Sequence, residues 1–196
     1  MKILLTGFEP FADVEVNPSQ QVVEALSQQS IAGIHIVHAI LPVEYELAGN
    51  QIRQLIYAHE PDAVLMLGVA RKRDVITLER VAINVDDAET PDNTGSVRSG
   101  HPIIWHTSPI AYLSTLPIIP MMERLKEKDF PAKISNHAGT FVCNHIFYLA
   151  SHEYDRMNAY VPCGFIHLPP ASENYTLEMM IDAIRVCVEL LREIDV

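Results

Sequence analysis

The chain is poor in positive charge. Its 196 residues carry 14 Lys and Arg against 25 Asp and Glu, a formal net charge of −11. With no run of basic residues, nucleic acid and anionic membrane surfaces are unsuitable partners. Cysteine is scarce: the three at positions 143, 163 and 187 are too widely spaced to read as a disulfide framework. Neither Cys-x-x-Cys nor His-Glu-x-x-His spacing occurs, so no metal site is expected. Long apolar runs are missing as well. The longest, Ile110 to Met122, is interrupted by Pro117 and Pro120 and is too short to span a bilayer. The opening MKILLTGFEPF has no apolar core or small-residue cleavage site of a secretory signal. These absences point to a cytoplasmic protein with free thiols, and the length fits one domain with a sizeable core.

What is present alternates between short β-branched runs and longer amphipathic segments. KILLTGF (2–8) reads as a buried strand, and Asn17-Pro18-Ser19-Gln20 as a helix start with Asn as N-cap and Pro at the first helical position. Strands are expected at 34–43 and 63–69, with a helix near 44–58 between them. The unbroken apolar run AVLMLGV suits a strand covered on both faces. An extended segment at 74–85 leads into a polar, turn-rich arm at 86–106, a length that suits a functional loop or an arm reaching a neighbour. Then follow a helix near 119–128, a strand near 132–136, a helix near 140–153, a strand near 163–168 and a terminal helix at 176–194. Strands alternating with helices predict an α/β fold: one domain (1–196) with a mainly parallel twisted sheet flanked by helices.

Ligands of such sheets collect at the carboxyl ends of the strands, and three residues there carry chemistry. Cys143 follows a Gly turn at the start of a helix. With Thr140 as N-cap it is the third helical residue, where open N–H groups and the helix dipole favour the reactive thiolate; the alternative is a small core residue. Cys187 shares a helix face with Met180, Ile184 and Leu191 and reads as core, and Cys163 has no helix end to activate it. His167 ends GFIHLPP (164–170), beside the Cys143 region if its strand pairs with 132–136. There it can move a proton between a thiol and a leaving amine, or simply bond a loop carbonyl. Glu79 is an anomaly, since alternation places it on an otherwise largely apolar strand face with Val75, Thr77, Val81 and Ile83, where an unpaired carboxylate is costly. It either forms a structural ion pair, with Arg73 as a candidate, or orients an imidazole as a triad member. His145, two residues from Cys143, does not face it.

Four ordered stretches carry a resemblance: TGFEPF with Asn17-Pro18-Ser19, ITLERVAIN (76–84), SNHAGTFVCNHIFY (135–148) and GFIHLP (164–169). Over nearly its whole length the chain resembles the pyroglutamyl-peptidase I family of cysteine peptidases. The resemblance implies an α/β/α sandwich, no cofactor, a cytoplasmic location and a homodimer or homotetramer. It implies Cys143 as nucleophile, His167 as general base and acid, and Glu79 as the acid orienting His167. It also implies that N-terminal pyroglutamyl peptides are the substrates, with Phe8 and Phe11 lining an apolar slot and Phe141 and Val142 beside the nucleophile. Backbone N–H groups at the helix start would hold the oxyanion.

The chain departs from the family pattern at three places. Arg71-Lys72 stands where the family usually has Gly-Gly, which predicts a different path for that loop because bulky residues avoid positive φ. Glu89 stands where an Arg is usual, and His137 where a Thr is usual, close enough to be expected to perturb the thiol. These changes motivate a second reading, an amide hydrolase of the same mechanism with a different substrate or weakened activity. A third is a non-catalytic flavodoxin-like module binding phosphate through TGFEPFADVEVNPS, disfavoured by its single Gly and its carboxylates Glu9, Asp13 and Glu15.

Overall fold

The computed structural model describes residues 1–11, 16–105 and 107–193. Asp13 and Glu15 of the first loop, His106 of the arm and the end of the terminal helix therefore lie outside the described residues. In chain order the elements are β1 (Lys2–Phe8), α1 (Pro18–Ser27), β2 (His35–Leu41), α2 (Tyr45–His59), β3 (Ala63–Val69), β4 (Ile76–Ile83), β5 (Asp86–Ala88), β6 (Arg98–His101), β7 (Ala111–Leu113), α3 (Ile118–Glu127), β8 (Ala132–His137), α4 (Val142–Arg156), β9 (Cys163–Leu168) and α5 (Leu177–Glu193).

Among the described residues, a seven-stranded sheet runs β2-β1-β3-β9-β4-β7, with β8 also paired to β4. From β2 to β9 neighbouring strands are parallel. β4 then enters antiparallel to β9 and carries β8 parallel and β7 antiparallel to itself. The sheet is thus mainly parallel, as expected, but β8 and β9 are not neighbours. The condition that residues 132–136 pair with 163–168 is not met: β4 lies between them and bonds both.

Helices cover both faces. Val22 and Leu26 of α1, Met121 and Leu125 of α3 and much of α5 pack with Ile3, Leu5, Leu65 and Ile166 in one core. Tyr45, Ile52 and Ile56 of α2 and Ile146 and Phe147 of α4 pack with Leu4, Val64, Met66 and Phe165 in the other. Alternate residues of the same strands serve opposite cores, and each such side chain contributes roughly 1.5–3 kcal/mol by leaving water. Cys187 is fully buried in the first core, as its helix face predicts, and Cys163 is buried in the second.

The Asn17 cap forms as read from the sequence and also fixes the preceding loop. Asn17 Oδ1 accepts from Ser19 N at 3.0 Å and Ser19 Oγ at 2.8 Å, while its amide donates to Glu9 O at 2.9 Å. Ser19 Oγ in turn accepts from Phe8 N at 3.0 Å. Gly7 permits this contact, because a Cβ there would lie 2.6 Å from Ser19 O.

The arm is built on a two-stranded antiparallel ribbon, β5 with β6, and is tied to its own chain at α2. Glu44, the N-cap of α2, makes no side-chain cap; Asp92 supplies it from the arm, accepting from Tyr45 N at 3.1 Å. Arg98 pairs with Glu46 at 2.7 Å and lies 5.2 Å above the Tyr45 ring. Burial alone would raise the Asp92 carboxyl, but bonds from Thr94, Ser96 and Tyr45 outweigh it and hold it below its ordinary 3.8. A depressed carboxylate stabilises the fold above its ordinary pKa, and that contribution disappears as the pH falls through the folded value. Asp92→Ala is therefore expected to cost about 0.5–2 kcal/mol in urea unfolding at neutral pH, with the difference shrinking as the pH drops below 3.8.

Candidate active site

The site forms where three adjacent strands end beneath the start of α4. His167 is the penultimate residue of β9, with Gly68 of β3 opposite it on one side and Thr77 of β4 on the other. Phe165 lies two residues earlier on the same face, its ring 4.7 Å from that of His167, and packs in the core beneath α4.

Glu79 is fully buried and meets both kinds of partner that its position suggested, an arginine and an imidazole. Its Oε1 receives His167 Nδ1 at 2.7 Å and also the Arg73 guanidinium. Arg73 further donates to Thr77 Oγ1, and to Ser135 Oγ at 3.2 Å across the pairing of β4 with β8. Glu79 Oε2 is buried without a hydrogen-bond partner, so one oxygen carries the whole network. Burial would raise this carboxyl, yet the His167 bond and charge, with Ser135 and Arg73, pull it below its ordinary value. Burial lowers His167, which the Glu79 bond only partly offsets. The pair is therefore a carboxylate and a neutral imidazole, with the proton on Nδ1 facing Glu79 and the Nε2 lone pair available.

Cys143 lies over Gly68, the residue of β3 that pairs with His167. A Cβ added at Gly68 would lie 2.9 Å from Cys143 Sγ and 2.8 Å from the Phe165 ring. The sulfur thus sits above Gly68, whose backbone lies one strand spacing, about 4.8 Å, from that of His167. The helix-start reading of the thiol needs correction on two counts. The N-cap of α4 is Phe141, which makes Cys143 the second helical residue; Thr140 Oγ1 instead donates to Asp87 O. Burial also outweighs the helix end. It pushes the thiol up to about 12, Glu79 adds to that, and the Cys143 backbone N–H and Arg73 offset only part. The resting side chain is therefore a thiol rather than a thiolate. Because Phe141 offers no side-chain cap, the first N–H groups of α4 remain available to a ligand oxygen.

A slot opens beside the sulfur, lined by Phe8, Phe11, Asn17, Val43, Val69, Phe141, Val142 and Cys143. Phe8 and Phe11, expected to line a slot, and Phe141 and Val142, expected beside Cys143, are all in this wall. Phe8 also packs in the α2/α4 core, so the core and lining readings hold together. Phe141 is held between Phe11, at 6.4 Å between rings, and Tyr45, at 5.5 Å. Among the described residues, no ionisable side chain apart from the thiol lines this slot.

The family departures lie elsewhere. Ala70 to Arg73 close a turn through Arg73 N to Ala70 O at 2.9 Å, and neither Arg71 nor Lys72 has positive φ. Glu89 is exposed on the arm and His137 is exposed at the end of β8. His137 Nδ1 accepts from Gly139 N at 3.1 Å, and its charge is not among the influences on Cys143, contrary to expectation. Among the described residues no group of three His, Cys, Asp or Glu gathers as a metal site.

Sequence reasoning missed Gly68, although a Gly inside an apolar strand run is a signal of close approach. It also missed the clamp that holds the start of α4 beside Cys143. Asn144 bonds Ile83 and Val85 of the β4–β5 segment, with Oδ1 to Ile83 N at 2.9 Å and Nδ2 to Ile83 O at 2.8 Å. His145, which does not face Cys143, meets buried Asp86 at 2.8 Å.

The pyroglutamyl peptidase family profile matches residues 1–192. The chain belongs to that family. Pyrrolidone-carboxylate peptidase of Oceanobacillus iheyensis is 42% identical over 168 residues, covering 86% of this chain and 83% of its own. The Bacillus licheniformis enzyme of the same name is 38% identical across 100% of this chain and 95% of its own. A mutant pyrrolidone carboxyl peptidase of the hyperthermophile Pyrococcus furiosus superposes with a TM-score of 0.93 at 33% identity, covering 98% of this chain and 99% of that one. Pyroglutamyl peptidase I of Bacillus amyloliquefaciens gives 0.90 at 36% identity, covering 96% and 95%.

Replacing Gly68 by Ala tests the geometry around the sulfur, since its Cβ would meet Sγ and the Phe165 ring. In the natural protein Cys143 is only partly buried and should be alkylated by iodoacetamide well before Cys163 and Cys187. Gly68→Ala should slow that modification by about tenfold or more while leaving the fold intact, read by peptide mass spectrometry; a misplacement of this size at a reacting atom is worth up to about 100-fold.

Proposed function

We propose that the protein is a cysteine exopeptidase that removes N-terminal pyroglutamate from peptides, with Cys143 as nucleophile, His167 as general base and acid, and Glu79 as the residue that orients His167. The observation that supports this reading is a slot lined, among the described residues, by apolar and aromatic side chains and opening on a thiol that lies over Gly68, the residue paired with His167. A pyroglutamyl ring is a small neutral lactam with no α-ammonium, and it asks for such a slot; a free N-terminal residue would bury an unpaired charge there.

The chemistry proceeds from the protonation states. Neutral His167 takes the Cys143 proton on Nε2, and the sulfur attacks the carbonyl that joins the ring to the next residue. The open N–H groups at the start of α4 accept the negative charge on the carbonyl oxygen. Collapse breaks the C–N bond as His167 returns the proton to the departing amine, leaving a thioester on Cys143. Water, deprotonated by His167, cleaves the thioester and releases pyroglutamate. Glu79 stabilises the imidazolium formed at each transfer, and Arg73 keeps Glu79 ionised and in place. No step calls for a cofactor. The proposal includes a cytoplasmic location, a single peptidase domain and assembly as a homodimer or homotetramer.

The reading of an altered substrate draws on Arg71, Lys72 and Glu89, but none of the three lines the slot. The changes therefore act outside the acyl site.

Release of a fluorescent amine from a pyroglutamyl amide is the direct assay. The natural protein should turn over, Cys143→Ser should fall by about a thousandfold or more, and Glu79→Gln should lose a comparable factor in kcat with KM little changed. A folded natural protein without turnover would reject the reading.

A further inference from the structure

Most of the slot comes from pieces of chain that are fixed by their own elements. Phe8 is buried at the end of β1, and Phe141 and Val142 start α4. Phe11 has no such support, since it lies beyond the end of β1 and is only partly buried. A residue remote in sequence ties this piece down. Asn93, in the arm, donates from Nδ2 to Glu9 Oε1 at 2.9 Å and to Pro10 O at 3.2 Å. Its backbone N–H donates to Val43 O at 2.9 Å. One arm residue thus joins the loop that carries Phe11 to the link that carries Val43, and does not itself line the slot. The turn that presents Asn93 is closely bonded. Asp92 Oδ1 accepts from Thr94 N at 3.0 Å and Ser96 N at 2.9 Å, and Asp92 N donates to Ser96 O at 2.9 Å.

Under the acyl-transfer reading, on which this inference rests, the slot must admit a five-membered lactam and exclude a larger acyl group. We propose that Asn93 is a positioning residue that sets the width of the slot by holding Phe11 in its wall. It touches neither the ring nor the reacting atoms and acts through Phe11. The two amide hydrogens of Asn93 serve two acceptors, and one of these is the carbonyl of the residue before Phe11. The Pro10–Phe11 peptide therefore cannot swing outward without breaking a hydrogen bond. Phe11 in turn meets Phe141 at 6.4 Å between rings, so moving it would widen the slot next to the residues that lead into Cys143. A wall that is already ordered costs the incoming ring nothing to arrange. Asn93 is exposed, so the effect of its side chain is several-fold rather than the loss expected for a triad member.

The test compares a pyroglutamyl amide with the homologous amide whose lactam ring has one more methylene. The natural protein should favour the smaller ring in kcat/KM by about tenfold or more. Asn93→Ala, which leaves the backbone bond to Val43 in place, should raise KM for the pyroglutamyl amide by about threefold to tenfold with kcat little changed. Its preference for the smaller ring should shrink by a similar factor. Asn93→Asp sets a second carboxylate against Glu9 and should raise KM further than Asn93→Ala at low salt. Adding Glu9→Gln supplies a donor opposite that carboxylate and should bring KM back toward the natural value, a recovery that a general loss of stability would not show. Glu9→Ala removes the same bond from its other side and serves where an Asn93 variant does not fold; it too should raise KM. Folded single Ala variants with natural KM and ring preference, or with a loss in kcat alone, would overturn this inference and leave the proposed function standing. So would a double variant no better than Asn93→Asp. No hydrolysis of the pyroglutamyl amide by the natural protein would overturn it together with the proposed function.

Discussion

Glu79 lies fully buried in the middle of an antiparallel strand, and one of its oxygens receives both an imidazole and a guanidinium. Alone, a carboxylate there would be strongly unfavourable. Its two partners convert the cost into a constraint: Arg73 holds the charge, and the charge holds the His167 ring in one tautomer. The sheet order follows the same need. β4 must lie between β9 and β8, because Glu79 has to meet His167 from one side while Arg73 reaches Ser135 on the other.

The second constraint is spatial. A helix cannot bring a thiol down onto a sheet wherever the sheet presents side chains, and the absence of a Cβ at Gly68 provides the opening. The same closeness takes much of the thiol out of water and raises its pKa to about 12. Activation by the helix end is thus too weak to ionise Cys143 at rest, and a neutral neighbouring base becomes a requirement. The clamp of Asn144, His145 and Thr140 onto residues 83–87 then fixes the helix start from which Cys143 projects.

Much of this was legible in the sequence where the signal is local. The apolar run 63–69, the Asn17 cap and the terminal amphipathic helix all stand within a residue or two of their expected places, because periodicity and capping are short-range. Glu79 stood out for the same reason, as a charge in an apolar alternation. Non-local pairing was not legible. Nothing in the spacing of 132–136 or 163–168 reveals that β4 inserts between them, and β5, β6 and β7, at three or four residues each, are too short to show a period. The N-cap of α4 was misplaced by one residue because Thr is the better capper by chemistry, whereas Thr140 spends its hydroxyl on Asp87 O. The state of the thiol was misread because burial depends on what packs above it, which a linear sequence does not display.

The account stands on the protonation state of the Glu79–His167 pair. A titration of the His167 ring nitrogens by NMR in uniformly ¹⁵N-histidine-labelled protein tests it most directly. A neutral imidazole with the proton on Nδ1 and an open Nε2, persisting as the pH falls below the ordinary 6.5, is the predicted result. A ring already protonated at neutral pH, or one with its proton on Nε2, would contradict the claim that His167 waits as the base for Cys143.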